Sequence, residues 1–485
     1  RIEVFFEYET DSGDMTVTLP LDSEEQIYDE ELIDEYNEEF NREETNRKSD
    51  ADNHSSDTEN ISSDLKCMQC NASAFDEWRV LPIRSEEEYS RGMTGGEAEQ
   101  HLHGIARSIS NPDIIYWSQD VGQVWKSEDA GETWKRTIGK GLYLRYSQSI
   151  EVDPVNPDKL FVIVDNVWWD DLNRDFEGIY MSTNEGDDWK LVLPTPVNFN
   201  QDKHRMYTHN IAYDFSSKDN SGAKVWYAAF VENGLYKSDD YGSSWNKVAD
   251  IKGHEKLYGV YTHPNDGQTI YLASSKGLFI SKTKGTNLQE TGNLPDGSVT
   301  SVAINPQNPN IIYATLMYSK WSKWINYSAG DSVYYGDIYS NVTYYKSLGG
   351  NNLDSNPAQN PDKWEKFSTT PGLYKSTNGG NTFNLLKKFD VWAVFMNQGY
   401  PETLYLAGFT PDYWKNSPTI VTHDGGASWI TEITVTPFSG LGRDTYIKRL
   451  TGSNTGIVPN SKNKDEAVVF SESHIYKTKN GGKNF

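Results

Sequence analysis

A short turn recurs seven times along the chain, and no other feature constrains the fold as strongly. It reads Ser-Glu-Asp-Ala-Gly-Glu-Thr-Trp at Ser127–Trp134 and returns at Ser182–Trp189, Ser238–Trp245, Ser376–Phe383 and Thr422–Trp429, with weaker copies at Ser281–Leu288 and Thr478–Phe485. Successive copies start 55, 56, 43, 95, 46 and 56 residues apart. That period suits one four-stranded blade of a β-propeller per repeat. The turn has its own physical logic: the Asp or Asn side chain bonds nearby backbone N–H groups, the Gly takes a positive φ, and the aromatic opens the next strand by packing between blades. The expected fold is all-β, a seven-bladed β-propeller.

Between the turns each repeat reads as strand, Asn-Pro-type turn, two further strands, recurrent turn and a fourth strand. In the first repeat these are Ile105 to Ile109, Asn111-Pro112, Ile114 to Ser118, Val124 to Ser127 and Trp134 to Ile138. A propeller has to close, because an open ring leaves a sheet edge exposed. Asp76-Glu-Trp78-Arg-Val-Leu-Pro82 matches the fourth strand of the second repeat, Asp187-Asp-Trp189-Lys-Leu-Val-Leu-Pro194, so residues 78–83 are expected to supply the outer strand of the last blade. The turns resemble the Asp boxes, or BNR-like repeats, of sialidases, xyloglucanases, sorting receptors and photosystem assembly factors. That resemblance implies an architecture and leaves the function open.

Around the propeller, expected over residues 76–485, the chain carries two additions. Residues 1–22 read as a β-hairpin or the edge of another domain, with strands Arg1 to Tyr8 and Met15 to Leu21, and residues 23–75 as an acidic linker or arm. Residues 23–64 hold 16 Asp or Glu against three Lys or Arg, although Ile27, Leu32, Ile33, Tyr36 and Phe40 form a partial helical stripe. The chain opens at Arg1 inside a strand-like run without an initiator Met, which suggests a processed piece; a second domain is expected if the natural protein runs past Phe485. The 95-residue interval is one blade plus an insertion, residues 321–367.

Composition excludes whole classes of partner. A net charge of −25 and a pI near 4.8 oppose nucleic acid, whose binders cluster Lys and Arg, and equally oppose anionic membranes. No apolar run reaches the roughly 18 residues that cross a bilayer, so no membrane insertion is expected. The two cysteines, Cys67 and Cys70, fall short of the four ligands of a structural zinc site and suit a local disulfide or inert thiols. No metal and no cofactor are expected. There is no Gly-x-Ser-x-Gly and no phosphate loop.

The insertion itself carries a pattern. Trp324-Ile-Asn-Tyr-Ser-Ala-Gly330-Asp331-Ser-Val333-Tyr-Tyr335-Gly336-Asp-Ile-Tyr339, then Tyr344-Tyr345 and Trp364, is similar to small chitin- and cellulose-binding modules. The resemblance implies that Tyr344 and Tyr345 stack on sugar rings, while Trp324, Tyr339 and Trp364 fill a small core.

Propeller topology sorts the remaining candidates. The recurrent turns join third to fourth strands on one face, so connections from second to third strands and from one blade to the next share the other, where ligands enter. The second-to-third connections carry Asp120, Trp168, Trp169, Asp170, Asp171, Glu232, Tyr413, Trp414 and Glu472, and the insertion is another of them. Between blades lie Arg145, His204, Arg205, His209, Arg443 and Asp444. Carboxylates alternating with Trp and Tyr suit a neutral polysaccharide, since rings stack on sugar faces and acids hold hydroxyls or protonate a leaving oxygen.

The run Asn111 to Ser127, preceded by Gly92-Met-Thr-Gly95-Gly96, resembles the first blade of two-propeller xyloglucanases, where a Gly-rich turn precedes Asp-Ile-Gly-Gly. The resemblance places a general base of inverting hydrolysis at Asp120. The family's second glycine is Gln123 here, and its catalytic acid comes from a second propeller, so Asp170, Asp171 and Glu472 are the acids available as partners. An inverting pair stands roughly 6.5–9.5 Å apart. The reading is a secreted or cell-surface carbohydrate-active propeller, a glycoside hydrolase acting on or binding polysaccharide. The alternative is a non-catalytic adhesive or filament-forming protein that self-associates through residues 1–75. Sialidase chemistry fits poorly, because mouth-facing Arg are few and no Arg-Ile-Pro precedes the turns.

Overall fold

Seven antiparallel sheets of three or four strands follow one another along the chain, each built around one copy of the recurrent turn. The computed structural model describes residues 6–8, 15–17, 102–119, 124–142, 147–164, 176–195, 208–230, 234–250, 257–336, 341–408, 419–431, 456–471 and 474–485. Two compact units are formed, Arg1–Leu81 and Pro82–Phe485. In the first, Phe6–Tyr8 pairs antiparallel with Met15–Val17. The outer strand expected at residues 78–83 and the helical stripe of residues 27–40 lie outside the described residues.

In the second unit the sheets form a ring. Their first strands are Leu102–Arg107, Ser147–Val152, Ile211–Tyr213, Leu257–Thr262, Ser298–Ile304, Val391–Met396 and Gly456–Asn460. Each lies against the first strand of the next sheet, and the seventh returns to the first. That closed order is a β-propeller.

Two-residue alternation explains why the blades read as continuous apolar runs. In strand Leu160–Val164, Leu160, Val162 and Val164 pack on Ala106, Ile114 and Tyr116 of the preceding blade, while Phe161 and Ile163 pack on Ile211 and Trp226 of the following one. A strand buried on both faces needs both sets apolar. The same logic closes the ring, where Ile105, Ile115 and Trp117 of the first blade meet Val468 and Phe470 of the seventh.

The recurrent turn supplies the rigid end of each blade. Ser127 Oγ accepts the Gly131 N–H at 2.8 Å and donates to Asp129 Oδ1, which accepts the Thr133 N–H at 2.8 Å. At Ser281 the Asp is replaced by Thr283, whose hydroxyl takes over by accepting the Asn287 N–H at 3.1 Å. A further bond ties every turn to the hairpin between the first two strands of its own blade: the fourth residue of the turn donates its N–H to a carbonyl there, Ala130 to Asp113, Glu185 to Asp158, Tyr241 to Lys224, Lys284 to Gln268, Gly379 to Asn310, Gly425 to Glu402 and Gly481 to Asp465, all within 2.8–3.0 Å. To reach it, that fourth residue adopts a left-handed conformation even as Ala130, Glu185, Tyr241 or Lys284.

Candidate functional site

The mouth lies opposite the recurrent turns, where first strands begin and second strands end. Most of the acids and aromatics expected there fall outside the described residues: Asp120, Trp168, Trp169, Asp170, Asp171, Tyr413, Trp414 and Glu472. Their anchors are described. Asp120 directly follows strand Ile115–Gln119; residues 168–171 lie between Leu160–Val164 and Gly178–Ser182; residues 413–414 lie between Leu404–Gly408 and Ile420–Thr422; and Glu472 directly follows Asn463–Ser471. Each is therefore on a connection from second to third strand.

The insertion occupies the same kind of connection in the fifth blade, between Ile312–Met317 and Gly372–Ser376, which remain paired with each other. It forms its own sheet: Ser319–Lys320 runs parallel to Ser332–Tyr335, which pairs antiparallel with Thr343–Ser347, and that with Trp364–Phe367. Tyr327, Val333 and Trp364 make its core. The insertion is fastened to the propeller. The Tyr318 ring lies tilted 4.8 Å from Tyr344 and edge to face 5.9 Å from Phe367, its hydroxyl donates to the Asp296 carbonyl at 2.6 Å, and Lys346 pairs with the Asp296 carboxylate at 2.7 Å.

Within it the aromatics are distributed differently from the sequence expectation. Tyr344 and Tyr345 are successive strand residues and so face opposite ways: Tyr344 lies half-buried against Tyr318 and Phe367, and Tyr345 against the insertion's own core. Trp364 is buried, but Trp324 is 79% exposed, with the Lys323 ammonium 4.4 Å from its ring centroid. The core is built on Tyr327, Val333 and Trp364, with the Tyr327 and Trp364 rings edge to face at 5.2 Å, and Trp324 is not part of it; Tyr339, also expected there, lies outside the described residues.

The first strands of the fourth and sixth blades each carry a bulge, which re-aims a side chain. The residues skipped are Tyr258 and Trp392, both buried, and their rings meet edge to face at 5.4 Å across the intervening fifth blade. Elsewhere on the inner strands, His209 Nδ1 stands 3.8 Å from Glu151 Oε2, and the His209 ring stacks 5.0 Å from Tyr261. Burial pushes the Glu151 carboxyl up to about 8 and the His209 imidazole down to about 4. Both shifts favour the uncharged forms at this contact.

The signs of these two shifts oppose each other. A carboxyl raised on folding loses stability for the protein as pH climbs from the usual carboxylate range through about 8, whereas a lowered imidazole loses it as pH falls from about 6.5 towards 4. The two nearly cancel in mild acid, leaving the carboxyl's decline above pH about 6.5. Because the imidazole's slope is shared by both proteins, Glu151→Gln removes the carboxyl's slope alone and, at about 1.4 kcal/mol per pH unit, is expected to gain on the order of 4 kcal/mol over wild type between pH about 5 and pH about 8.5. Thermal melts of both proteins at the two pH values check this.

Among the described residues no group of three or more His, Cys, Asp or Glu converges as a metal site, and no helix is long and apolar enough to cross a membrane.

No family model matches the chain. Among curated proteins it is similar to the xyloglucanase Xgh74A of Acetivibrio thermocellus, 23% identical over 341 residues, which is 68% of this chain and 38% of the relative. A xyloglucanase of Paenibacillus sp is also 23% identical, over 347 residues, 70% of this chain and 32% of the relative. The chain thus spans about a third of the length of these curated relatives. Among solved structures, an ancestral GH74 enzyme aligns at 19% identity and a TM-score of 0.49, covering 78% of this chain and 45% of that one. YCF48 from Cyanidioschyzon merolae aligns at 12% identity and a TM-score of 0.42, covering 78% and 95%.

Proposed function

We propose that this is a secreted, carbohydrate-active propeller, xyloglucanase-like, that binds a neutral β-linked polysaccharide at its mouth and hydrolyses it by inversion. The observation that carries the reading is the similarity to xyloglucanases over more than two thirds of the chain. The recurrent turns are read as Asp boxes. Asp120 acts as general base, with Asp170, Asp171 or Glu472 as its acid partner, and Trp168, Trp169, Tyr413 and Trp414 offer rings for sugar faces. The insertion is read as a carbohydrate-binding module mounted rigidly beside the mouth. In it the most exposed ring is Trp324, which joins Tyr344 and Tyr345 as a sugar-contacting candidate.

Pull-down with insoluble polysaccharides tests the binding half of this reading. Wild type is expected to sediment with at least one β-linked glucan or chitin, and Trp324→Ala to lose about ten-fold in affinity, the scale of one stacked ring. Equal sedimentation of the variant removes Trp324 from the site.

An adhesive or filament-forming role is the second reading. Its support is that Arg1–Leu81 forms a compact unit of its own, with a short hairpin at Phe6–Tyr8 and Met15–Val17. Strand addition through residues 1–75 would give self-association. Light scattering of the whole chain against a chain lacking those residues separates the two readings.

A further inference from the structure

On the inner strands of the second and third blades, two polar groups face each other without a hydrogen bond. Glu151 Oε2 and His209 Nδ1 stand 3.8 Å apart, beyond hydrogen-bond reach, with 14% and 23% of their side chains open to solvent. The other carboxyl oxygen, Oε1, accepts the Val152 N–H at 3.2 Å, and neither His209 ring nitrogen has a hydrogen bond among the described residues. The backbone fixes this placement. Asn210, directly after His209, donates its N–H to Ser149 Oγ at 3.2 Å, two residues before Glu151, which ties the two strands beside the gap. On its other side His209 bridges Gly259 of the fourth blade, giving its N–H to the Tyr258 carbonyl at 3.0 Å and accepting from Val260 at 2.8 Å. Gly259 makes room there: a Cβ would come within 2.7 Å of the Tyr261 ring, which stacks 5.0 Å from the imidazole. Asn210 is fully buried; its Nδ2 donates to the Ala229 and Leu257 carbonyls at 3.1 and 3.4 Å, while its Oδ1 has no partner among the described residues. Two tied strands thus carry three polar groups without a hydrogen-bond partner, a costly arrangement in an interior unless something else uses them. The other titratable groups nearby are Asp153, 4.0 Å from Lys159, Tyr213, whose phenol burial raises, and Tyr261, raised by burial and held back by Ser301 and the Val302 N–H.

With the polysaccharide reading above supplying the class of ligand, we infer that Glu151 and His209 form a subsite for one neutral pyranose inside the ring, a single sugar hydroxyl bridging Glu151 Oε2 and His209 Nδ1. One oxygen can lie within about 2.8–3.0 Å of each of two atoms that are 3.8 Å apart, so a hydroxyl satisfies both at once. The electrostatics agree with this geometry. Burial pushes the carboxyl up to about 8 and the imidazole down to about 4, which favours a carboxyl that donates and an imidazole nitrogen that accepts. A hydroxyl accepts from the first and donates to the second. A cation would need further ligands, and no group of three His, Cys, Asp or Glu converges among the described residues; an anion would meet Asp153 on a chain of net charge −25. His209 precedes strand Ile211–Tyr213 and stands at the mouth end, whereas Glu151 is the last residue but one of Ser147–Val152 and lies deeper. A glycan would therefore enter by its end, and the occupant is a terminal pyranose or a free monosaccharide.

Nuclear magnetic resonance of the full chain with isotope-labelled histidine reads this site directly, the His209 signal being the one lost in His209→Gln. At pH about 6, glucose, xylose or cellobiose is expected to shift that signal and saturate it. Glu151→Ala is expected to weaken the saturation about ten-fold, the scale of one hydrogen bond, and Glu151→Gln to restore most of it, because the amide keeps an acceptor towards Val152 and a donor towards the gap. As pH rises through about 8 the wild-type carboxyl loses its proton and binding is expected to fade, while Glu151→Gln holds its affinity. A His209 signal that none of the three sugars moves overturns the subsite, and so does a Glu151→Gln variant that binds as weakly as Glu151→Ala. Affinity electrophoresis in soluble xyloglucan, run in parallel, keeps the two readings apart. Retardation with an unmoved His209 signal overturns the subsite alone; a moving signal without retardation supports the subsite, with a free monosaccharide as its occupant, and overturns the polysaccharide reading.

Discussion

Gly242→Ala is expected to destabilise the propeller by about 2–5 kcal/mol, measured as a drop in the urea midpoint with unchanged slope. Gly242 has φ 82° and packs edge-on against the Phe161 ring of the preceding blade, which an added Cβ would strike. The left-handed conformation costs an L side chain about 1–2 kcal/mol, and overpacking a tight contact about 1–3 kcal/mol more. The residue before it in each turn gives the opposite sign. Lys284 already holds φ 57°, so Lys284→Gly relieves the left-handed cost and is expected to gain up to about 1 kcal/mol. If both substitutions are neutral, the turns do not set the blade spacing.

The closure between first and seventh blades is expected to be at least as sensitive. Arg107, 4% exposed at its side chain, donates to Glu466 at 2.6 Å, to the Val458 carbonyl at 3.3 Å and to the Pro112 carbonyl at 2.5 Å. Glu466→Ala leaves that guanidinium buried and uncompensated, at a cost of about 3–5 kcal/mol. Replacing both partners with apolar residues, as in Arg107→Met with Glu466→Leu, is expected to cost far less than either single change. The pH dependence has a definite sign. Burial works to raise the Glu466 carboxyl, but hydrogen bonds from Arg107 and Asn460 prevail and hold it below the usual range. Its contribution is therefore complete above the usual carboxylate range and is lost as pH falls through the folded value, a loss that Glu466→Ala abolishes.

What was legible in the sequence is what is local. The recurrent turn needs a hydroxyl, an acid or amide and a glycine within five residues, so it can be read directly, and the blade period follows. The left-handed residue before the glycine could not be read, because Ala130, Glu185, Tyr241 and Lys284 share no chemistry; the strain is imposed by a bond to the neighbouring hairpin. Glu151 alternates with Ile150 and Val152 and looks like a solvated strand face, but a propeller buries both faces of its inner strands. Trp324 gave no clue to its exposure, since small aromatic-rich folds bury some rings and display others without a period to tell them apart.

The central claim is that a neutral polysaccharide is cleaved at a mouth containing Asp120. Reducing-end release from soluble xyloglucan by wild type and by Asp120→Ala, both checked for equal melting temperature, tests it most directly. The account predicts release by wild type and a loss of at least about 10²-fold in the variant, the scale of removing a general base. Equal release by both proteins, or none from wild type under conditions where it binds the polymer, would contradict it.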